Sequence, residues 1–548
     1  MKIACLLWLA ILGSHLAEAH NVPDNVALGI KGDGLTMNTA ALQSAIDAAS
    51  RNGGGVVALP RGTYLTGTLW LKSHVELRLD SGAVLLGSAS RADYQRNNWY
   101  ALLVAENQED IKVTGGGTID GQGLLLARDA MRRAVAGEFG SEPAEVKYRQ
   151  QQSLRLSDAE FGEQTCADRV RENQRPLLIE FSHCRGVTVA RVTLKNASCW
   201  VQNYIRCEGL MIDGVKVEST AYWNNDGMDI TDCRHVTIKH CNINSADDGI
   251  CLKSGAGGVS GWGEGNSVKD TSGCDQVVIS DCRIRSSANA VKFGTASYGG
   301  FRRIHVSNLT VYDTFRCAIA LETVDGGTVN DVLIEGVTAT NTGGAIFLRL
   351  GRRNLNEPPG KMQNVTIRNF KIHLAAGKPD SGYPITVPFD NEGSHQPHPS
   401  SITGLPGSPV QDVRLENIEI FARGDGRPKA APVSKADLDA VPEMEDKYPE
   451  YSMFGRLPAW GFYVRHADGI QFVNVHLNRE LPDDRPACVF DDVRRLKTSE
   501  LSFDPTADRP HLVMRDVSSA RIQFKEAVVE KDSLLILNAG QEAERLRR

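Results

Sequence analysis

The sequence predicts an all-β fold, a right-handed parallel β-helix (solenoid) with a short N-terminal capping helix and loop insertions. Three observations carry that prediction. Runs of alternating apolar character recur at 187–194, 210–217, 236–243, 277–284, 304–311 and 332–339, with later copies beginning near Val365, Val413 and Ile470. Such self-similarity at intervals of a few tens of residues marks the coils of a solenoid. Glycine is abundant (52 residues) and aromatics are sparse (6%), which suits many short strands and tight corners. Finally, Asp226, Asp248, Asn289, Cys317 and Gly344 align as one column, each followed by Gly or Ala.

Taken in order, Lys2 and an apolar run to Leu16 precede Ala17-Glu18-Ala19, so residues 1–19 read as a signal peptide and 20–548 as a single β-helix domain. Export to the periplasm or the medium follows, and no stretch is long enough to span a membrane. A net charge of −6 without a basic stripe argues against a nucleic-acid partner. Ala41, Leu42, Ala45, Ile46 and Ala49 follow helical spacing, with Asn38 or Thr39 as the cap and Gly53-Gly54-Gly55 as the end. A helix here would cover the first coil, as solenoids require. Strands at 56–59, 75–79 and 111–113 follow, then a Gly-rich corner at 115–121. Charged, Ala- and Arg-rich residues near 122–176, helical around 127–136, interrupt the pattern and read as an insertion. The Gly-rich segment 255–273 reads as a loop, and insertions near 376–410 and 425–460 are rich in Pro, Gly and charge.

Of 12 cysteines, Cys5 falls in the leader, and the pair Cys233/Cys241 is spaced like Cys274/Cys282. Repetition in register favours stacking as small apolar side chains over a disulfide. No Cys-x-x-Cys and no His pair at ligand spacing occurs, so neither metal nor cofactor is expected.

Period-two alternation assigns the faces of the strand that follows the aligned column. Met228/Ile230, Ile250/Leu252, Val291/Phe293, Ile319/Leu321 and Ile346/Leu348 point inward. Asp229, Cys251, Lys292, Ala320 and Phe347 point outward, and so do Thr231, Lys253, Gly294, Glu322 and Arg349. The outward strip carries acids and bases and is expected to form a groove. Asp226 and Asp248 are 22 residues apart, about one coil, so Asp226, Asp247 and Asp248 gather on one patch where like charges raise each other's pKa. A single Asp-Gly pair is more often a plain corner, as Asp213-Gly214 and Asp325-Gly326 would be.

These residues resemble a known family, the polygalacturonase-like glycoside hydrolases of family 28. The resemblance rests on Gly32-Asp33-Gly34, Gly62-Thr63-Tyr64, Gly117-Thr118-Ile119-Asp120-Gly121, Asn225-Asp226 and Asp247-Asp248-Gly249-Ile250-Cys251-Leu252-Lys253-Ser254, in order, over roughly 25–480. It implies a pectic poly- or oligosaccharide substrate, with Asp247 as general acid and Asp226 and Asp248 holding and deprotonating the water. The expected outcome is inversion, which generally needs carboxylates ~6.5–9.5 Å apart. Two family motifs are replaced. Its Gly-His-Gly box aligns with Ala288-Asn289-Ala290, and its carboxylate-gripping Arg-Ile-Lys box with Ala320-Leu321-Glu322. Lys292 and Lys253, with Arg316 or Arg349 beyond, are the candidates to restore the lost charge.

Asn225, Lys253, Asn289, Lys292, Tyr298 and Glu322 are therefore the expected substrate-binding set. Trp223 and Trp262 are further stacking candidates. Phe454 and Trp460 are expected to cover one end of the groove. Insertions of this length suggest a pocket, and hence exo-action. A polysaccharide lyase on the same solenoid, using Ca²⁺ among Asp226, Asp229, Asp247 and Asp248, and a non-catalytic carbohydrate-binding solenoid are the rival readings.

Overall fold

The computed structural model describes residues 29–138, 174–255, 272–380, 398–424, 433–504, 511–525 and the strand Leu534–Ile536. The expected leader at 1–19, Trp262 and nearly all of the 255–273 loop lie outside them. Three parallel ladders build the molecule. In the first, Leu177–Ser182, Gln202–Ile205, Met228–Thr231, Ile250–Ser254 and Val291–Ser297 pair in succession. In the second, Arg185–Ala190 pairs with Glu208–Asp213, then Arg234–Lys239, then Cys274–Ser280. In the third, Thr193–Lys195, Lys216–Ser219, Asn242–Ser245 and Arg283–Ser286 stack likewise. Each coil thus contributes three strands, and the architecture is a right-handed parallel β-helix.

The eight-residue runs read from the sequence split into two strands in the coils up to Arg283–Ser286, whereas from Phe301 onward they lie within long continuous strands such as Phe301–Thr323 and Thr328–Leu350. Each of them turns a corner at a left-handed residue, Arg191, Gly214, His240, Asp281, Asn308, Gly336, Asn369, Asn417 and Asn474, and the later strand Lys497–Phe503 does so at Glu500, with φ between 52° and 66°. Glycine and asparagine tolerate that region best, which explains their recurrence at one column. The asparagines also ladder. Asn474 Nδ2 donates to Asn417 Oδ1 at 2.8 Å, and Asn417 Nδ2 to Asn369 Oδ1 at 3.0 Å.

The inward assignments hold. Met228, Ile230, Ile250, Leu252, Val291, Phe293, Ile319, Leu321, Ile346 and Leu348 all lie in the buried core, each contributing about 1.5–3 kcal/mol of burial. All ten described cysteines are buried and unbridged. Cys207 N donates to Cys233 Sγ at 3.3 Å, one link of a stacked column.

At the N-terminus the helix Thr39–Arg51 buries Leu42, Ala45, Ile46 and Ala49. Asn38 stands at the N-cap position, where its carbonyl accepts from Leu42 N at 2.8 Å, but its side chain makes no capping bond. The Asn38 side chain instead bonds Lys31 N at 2.8 Å and the carbonyls of Lys31 and Thr36, while the Thr39 hydroxyl accepts from Gly67 N at 2.7 Å. A second helix, Gly123–Val135, occupies the start of the 122–176 insertion.

Two boundaries shift. The 376–410 insertion contains a regular strand, Ser400–Thr403, in register with Phe347–Arg349. Its Pro- and Ser-rich surroundings hid the alternation. The solenoid also runs past the last repeat seen in sequence, through Cys488–Arg494, Lys497–Phe503 and Leu512–Arg515.

Candidate active site

The outward face of the first ladder stacks Glu180, Asn203, Asp229, Cys251, Lys292, Ala320 and Phe347 in one column. Lys253 lies over Thr231, and Glu322 is in register with Arg349. Just before the strands, Asp226 and Asp248 occupy equivalent corners, since Gly227 N donates to Asp248 O at 2.8 Å and Gly249 N to Asn289 O at 2.8 Å. The glycine after each acid is required by close approach. A Cβ on Gly227 would lie 2.5 Å from Gly249 O, and one on Gly249 2.6 Å from Ala290 O. Ser245 Oγ and Ser286 Oγ pin the Asp247 carbonyl at 2.9 and 2.6 Å.

Asp226, Asp247 and Asp248 come together with carboxylate oxygens within 4.8 Å of one another. Stacking of the coils at the ordinary ~4.8 Å strand spacing brings them within reach of one another. Asp226 and Asp248 are buried, and Asp247 is partly exposed. The charged side chains of the strip, Asp247 excepted, are thus largely withdrawn from solvent.

Two lysines organise it. Lys253 Nζ lies 2.5 Å from Asp229 Oδ1, 3.3 Å from Asp226 Oδ2 and 3.0 Å from Cys251 Sγ. Lys292 Nζ lies 3.1 Å from Asp248 Oδ2 and 3.8 Å from Glu322 Oε2. Asn289 donates to Asp248 Oδ1 from its backbone N at 3.0 Å and from Nδ2 at 2.9 Å, while its own oxygen accepts from Cys317 N.

The carboxyls therefore separate in proton affinity. Burial, then the neighbouring Asp229 and Asp247, push Asp226 well above the ordinary range. Burial and then Asp248 push Asp247 up. Burial also favours the protonated form of Asp248, but Lys292, Arg316, Lys253 and the Asn289 N–H outweigh it and hold the group at about 2. Burial raises Asp229 to about 6 and Glu322 to about 8, against the pull of Lys253 and Lys292 respectively. One ionised carboxylate beside protonated neighbours is an acid–base arrangement.

Other candidates scatter. Asn225 is fully buried. Its oxygen accepts from Ser219 Oγ at 3.0 Å and its Nδ2 donates to the carbonyls of Ala197 and Cys199, so it clamps the corner that presents Asp226. Tyr298 is partly exposed and packs on Gly255, where a Cβ would lie 2.5 Å from its own. Trp223 is partly exposed, its carbonyl held by Arg175 at 2.7 Å. Arg349 is not available for a ligand carboxylate. It donates to the carbonyls of Gly404, Glu443 and Met444. Trp460 does not cover the groove; it is 1% exposed and belongs to the interior core.

Phe454 does lie over the outward face. The helix Lys435–Asp439 and the residues after it cover the later coils, packing Leu438, Val441, Tyr451, Met453, Phe454 and Leu457 on Ala320, Phe347, Tyr463, Val489 and Val513. This segment also delivers two site residues that no periodicity could reveal. Tyr448 OH lies 3.3 Å from Lys292 Nζ, and Glu450 Oε2 lies 2.9 Å from Arg316 Nε. On the opposite side Trp200 stacks on Trp99 at 4.7 Å between ring centroids and lies 4.5 Å from Lys253 Nζ. Trp200 shares the column of Asp226, whose carbonyl accepts from Val201 N, a relation that alignment of the preceding coil could have found.

Two groups have metal-ligand proximity: Asp226, Asp229 and Cys251, and Asp226, Asp247 and Asp248. In the first, the Lys253 ammonium already provides the positive charge among the donors.

The family model of the glycosyl hydrolases family 28 matches residues 55–373, which include Asp226, Asp229, Asp247, Asp248 and Glu322. The chain belongs to glycosyl hydrolases family 28. It is therefore a glycosidase. A probable polygalacturonase of Vitis vinifera is 24% identical to this family 28 chain over 423 residues, spanning 74% of this chain and 70% of that protein. An exo-poly-alpha-D-galacturonosidase of Dickeya chrysanthemi is 28% identical over 257 residues, 42% of this chain and 41% of its own length. Among solved structures, a family 28 exopolygalacturonase of Yersinia enterocolitica superposes with a TM-score of 0.56 at 18% identity, covering 91% of this chain and 78% of that one. A hyperthermoactive exopolygalacturonase from Thermotoga maritima gives 0.54 at 22% identity, covering 73% and 88%. The residues that cover the later coils, 433–460, fall outside the family 28 match.

Proposed function

We propose that this family 28 glycosidase cleaves pectic poly- or oligosaccharides at galacturonide-type linkages, from chain ends, by inversion and without a metal. The observation that carries the reading is the meeting of Asp226, Asp247 and Asp248 within 4.8 Å with opposed proton affinities. Asp247, raised and partly exposed, is the proton donor to the leaving oxygen. Asp248, ionised and fixed by Lys292 and Asn289, shares a water with Asp226. A water bonded to two oxygens at ~2.8 Å each bridges a gap of this size. With three of its contacts already made to Lys292 and Asn289, Asp248 is better placed to orient water than to attack carbon.

The exo mode is supported by the covering segment, which packs over the outward face of the later coils on Ala320 and Phe347. The metal-free mode is supported by Lys253 among the donors. Export, expected from the leader, suits a substrate of polymeric size.

The test is hydrolysis of pectic oligosaccharides by wild type and D247N, followed by NMR from the first turnovers. We expect single sugars whose anomeric configuration is opposite to that of the cleaved bond, activity unchanged by EDTA, and a loss of about 10²–10⁴-fold in D247N. Retained configuration would sink the mechanism, and a ladder of oligomers the exo mode.

A further inference from the structure

Asp247 and Asp248 are consecutive and share one corner, yet the proposed reaction asks opposite things of them. Asp248 is fixed by Lys292 Nζ at 3.1 Å and by two N–H groups of Asn289. Among the described residues the Asp247 carboxyl accepts one hydrogen bond, from Asp248 N at 2.9 Å, and forms no ion pair. The charged and titratable groups that act on it are Asp226 and Asp229 from the preceding coil, Asp248 beside it, Lys292 and Arg316 from the coils that follow, and Glu450 from the covering segment. Burial and Asp248 keep the Asp247 proton on, and Arg316, ahead of Lys292, pulls against them. A guanidinium swung onto this carboxyl would turn the proton donor into a second carboxylate.

Glu450 stands in the way of that. Arg316 opens the coil after Asn289, with its N donating to Ala288 O at 2.8 Å, and its Nε lies 2.9 Å from Glu450 Oε2. The two residues are 8% and 4% exposed, so solvent screens the contact little. A guanidinium is planar, and a partner at Nε fixes the direction of the whole fork. Glu450 is placed independently of Arg316. Met453 N donates to its carbonyl at 2.9 Å, and the next residue, Tyr451, packs with Met453 and Phe454 in the apolar covering cluster. Burial raises the Glu450 carboxyl and Arg316 draws it back, and with or without its proton the group offers an acceptor.

We propose that Glu450 is a positioning residue of the reaction: it holds the Arg316 guanidinium off the Asp247 carboxyl, so that two consecutive aspartates keep opposite roles. The proposal rests on the reading above that Asp247 donates the proton. It gives the covering segment, which lies outside the family 28 match, a part in the chemistry as well as in packing.

The experiment is the pH dependence of kcat/KM on a pectic oligosaccharide for wild type, E450A, R316M and the double variant, with folding checked by circular dichroism. The basic limb reports loss of the donor's proton. In E450A it is expected about one pH unit lower, the size of effect that a cation brought close has on a carboxyl. In R316M it is expected to move the other way. E450A is expected to add nothing in the R316M background, since the effect runs through Arg316. An unmoved limb in folded E450A overturns the inference, as does an equal downward shift with and without Arg316. Should E450A fail to fold, an unmoved limb in R316M overturns it and an upward one sustains it. A wild-type profile without a basic limb, or undiminished cleavage by D247N, overturns the proton-donor reading itself, and this inference falls with it.

Discussion

The same outward column of the same ladder is polar in its middle coils and apolar in its later ones. Asn203, Asp229, Cys251 and Lys292 give way to Ala320 and Phe347 and, past one buried serine, Ser401, to Tyr463, Val489 and Val513. The backbone register is continuous across the change, so geometry alone does not make the site. What differs is how each half satisfies burial. The later coils are buried under an apolar covering segment, a favourable transfer from water. The middle coils are buried with their charges, which is tolerable only because lysines are interleaved between acids. The solenoid supplies equivalent positions, and the side chains decide whether a position stabilises or reacts.

That contrast is broken most severely by removing a lysine. Lys292→Met keeps the length of the side chain but leaves Asp248 and Glu322 buried without their cation. Stability is expected to fall by about 3–5 kcal/mol in denaturant titration. The pH profile should move as well. In wild type the depressed pKa of Asp248 contributes stability that is present above the unfolded value near 3.8 and is lost as pH falls toward about 2. Glu322 acts in the opposite sense. Its folded pKa of about 8 makes stability decline as pH rises from the unfolded value near 4.5 toward 8. Without Lys292 both folded pKa values climb. The acid-side loss then begins at higher pH, and the acidic limb of kcat/KM shifts upward with it. An unmoved acidic limb in a folded K292M enzyme would show that Lys292 does not set the charge of Asp248.

The apolar half is probed by Phe454→Ala. Truncating a buried phenylalanine costs about 3–5 kcal/mol when the site cannot collapse. Here Phe454 also faces the Arg349 guanidinium, 5.3 Å from its ring centroid, so loosening it frees the covering segment that Arg349 holds. We expect lower thermal stability together with a product distribution that gains oligomers at the expense of single sugars. Lower stability with an unaltered product profile would separate the covering segment from the choice of exo or endo action.

The two halves were unequally legible in the sequence. Period-two alternation placed Met228, Ile250 and Val291 inward and Asp229 and Lys292 outward, because a strand offers only two faces and the stacking register repeats them. The meeting of Asp226, Asp247 and Asp248 followed from the same register. Three kinds of contact stayed hidden. Tyr448 and Glu450 reach Lys292 and Arg316 from a non-repeating segment more than a hundred residues away, so no period points to them. Asn225 is expected as a ligand from its place in the Asn225-Asp226 motif of the resemblance, yet its Nδ2 is consumed by the carbonyls of Ala197 and Cys199 and its oxygen by the Ser219 hydroxyl. Trp460 is expected, from its place in an insertion, to cover one end of the groove. It lies just before a strand and turns into the core, where its ring faces the Arg479 guanidinium at 5.4 Å.

The smallest effect concerns what both halves share, the left-handed corner column. Asn369 is exposed, at φ 58°, and its Oδ1 accepts from Asn417 in the next coil. Asn369→Ala keeps the backbone in a region that costs a β-carbon about 1–2 kcal/mol and also removes the ladder contact. Asn369→Gly removes the same contact but relieves the backbone. Urea titration should therefore show alanine less stable than glycine by about 1 kcal/mol, with activity unchanged in both. Equal losses would mean that the amide ladder, and not the left-handed backbone, is what selects asparagine along this edge. The corner would then be specified coil to coil rather than residue by residue.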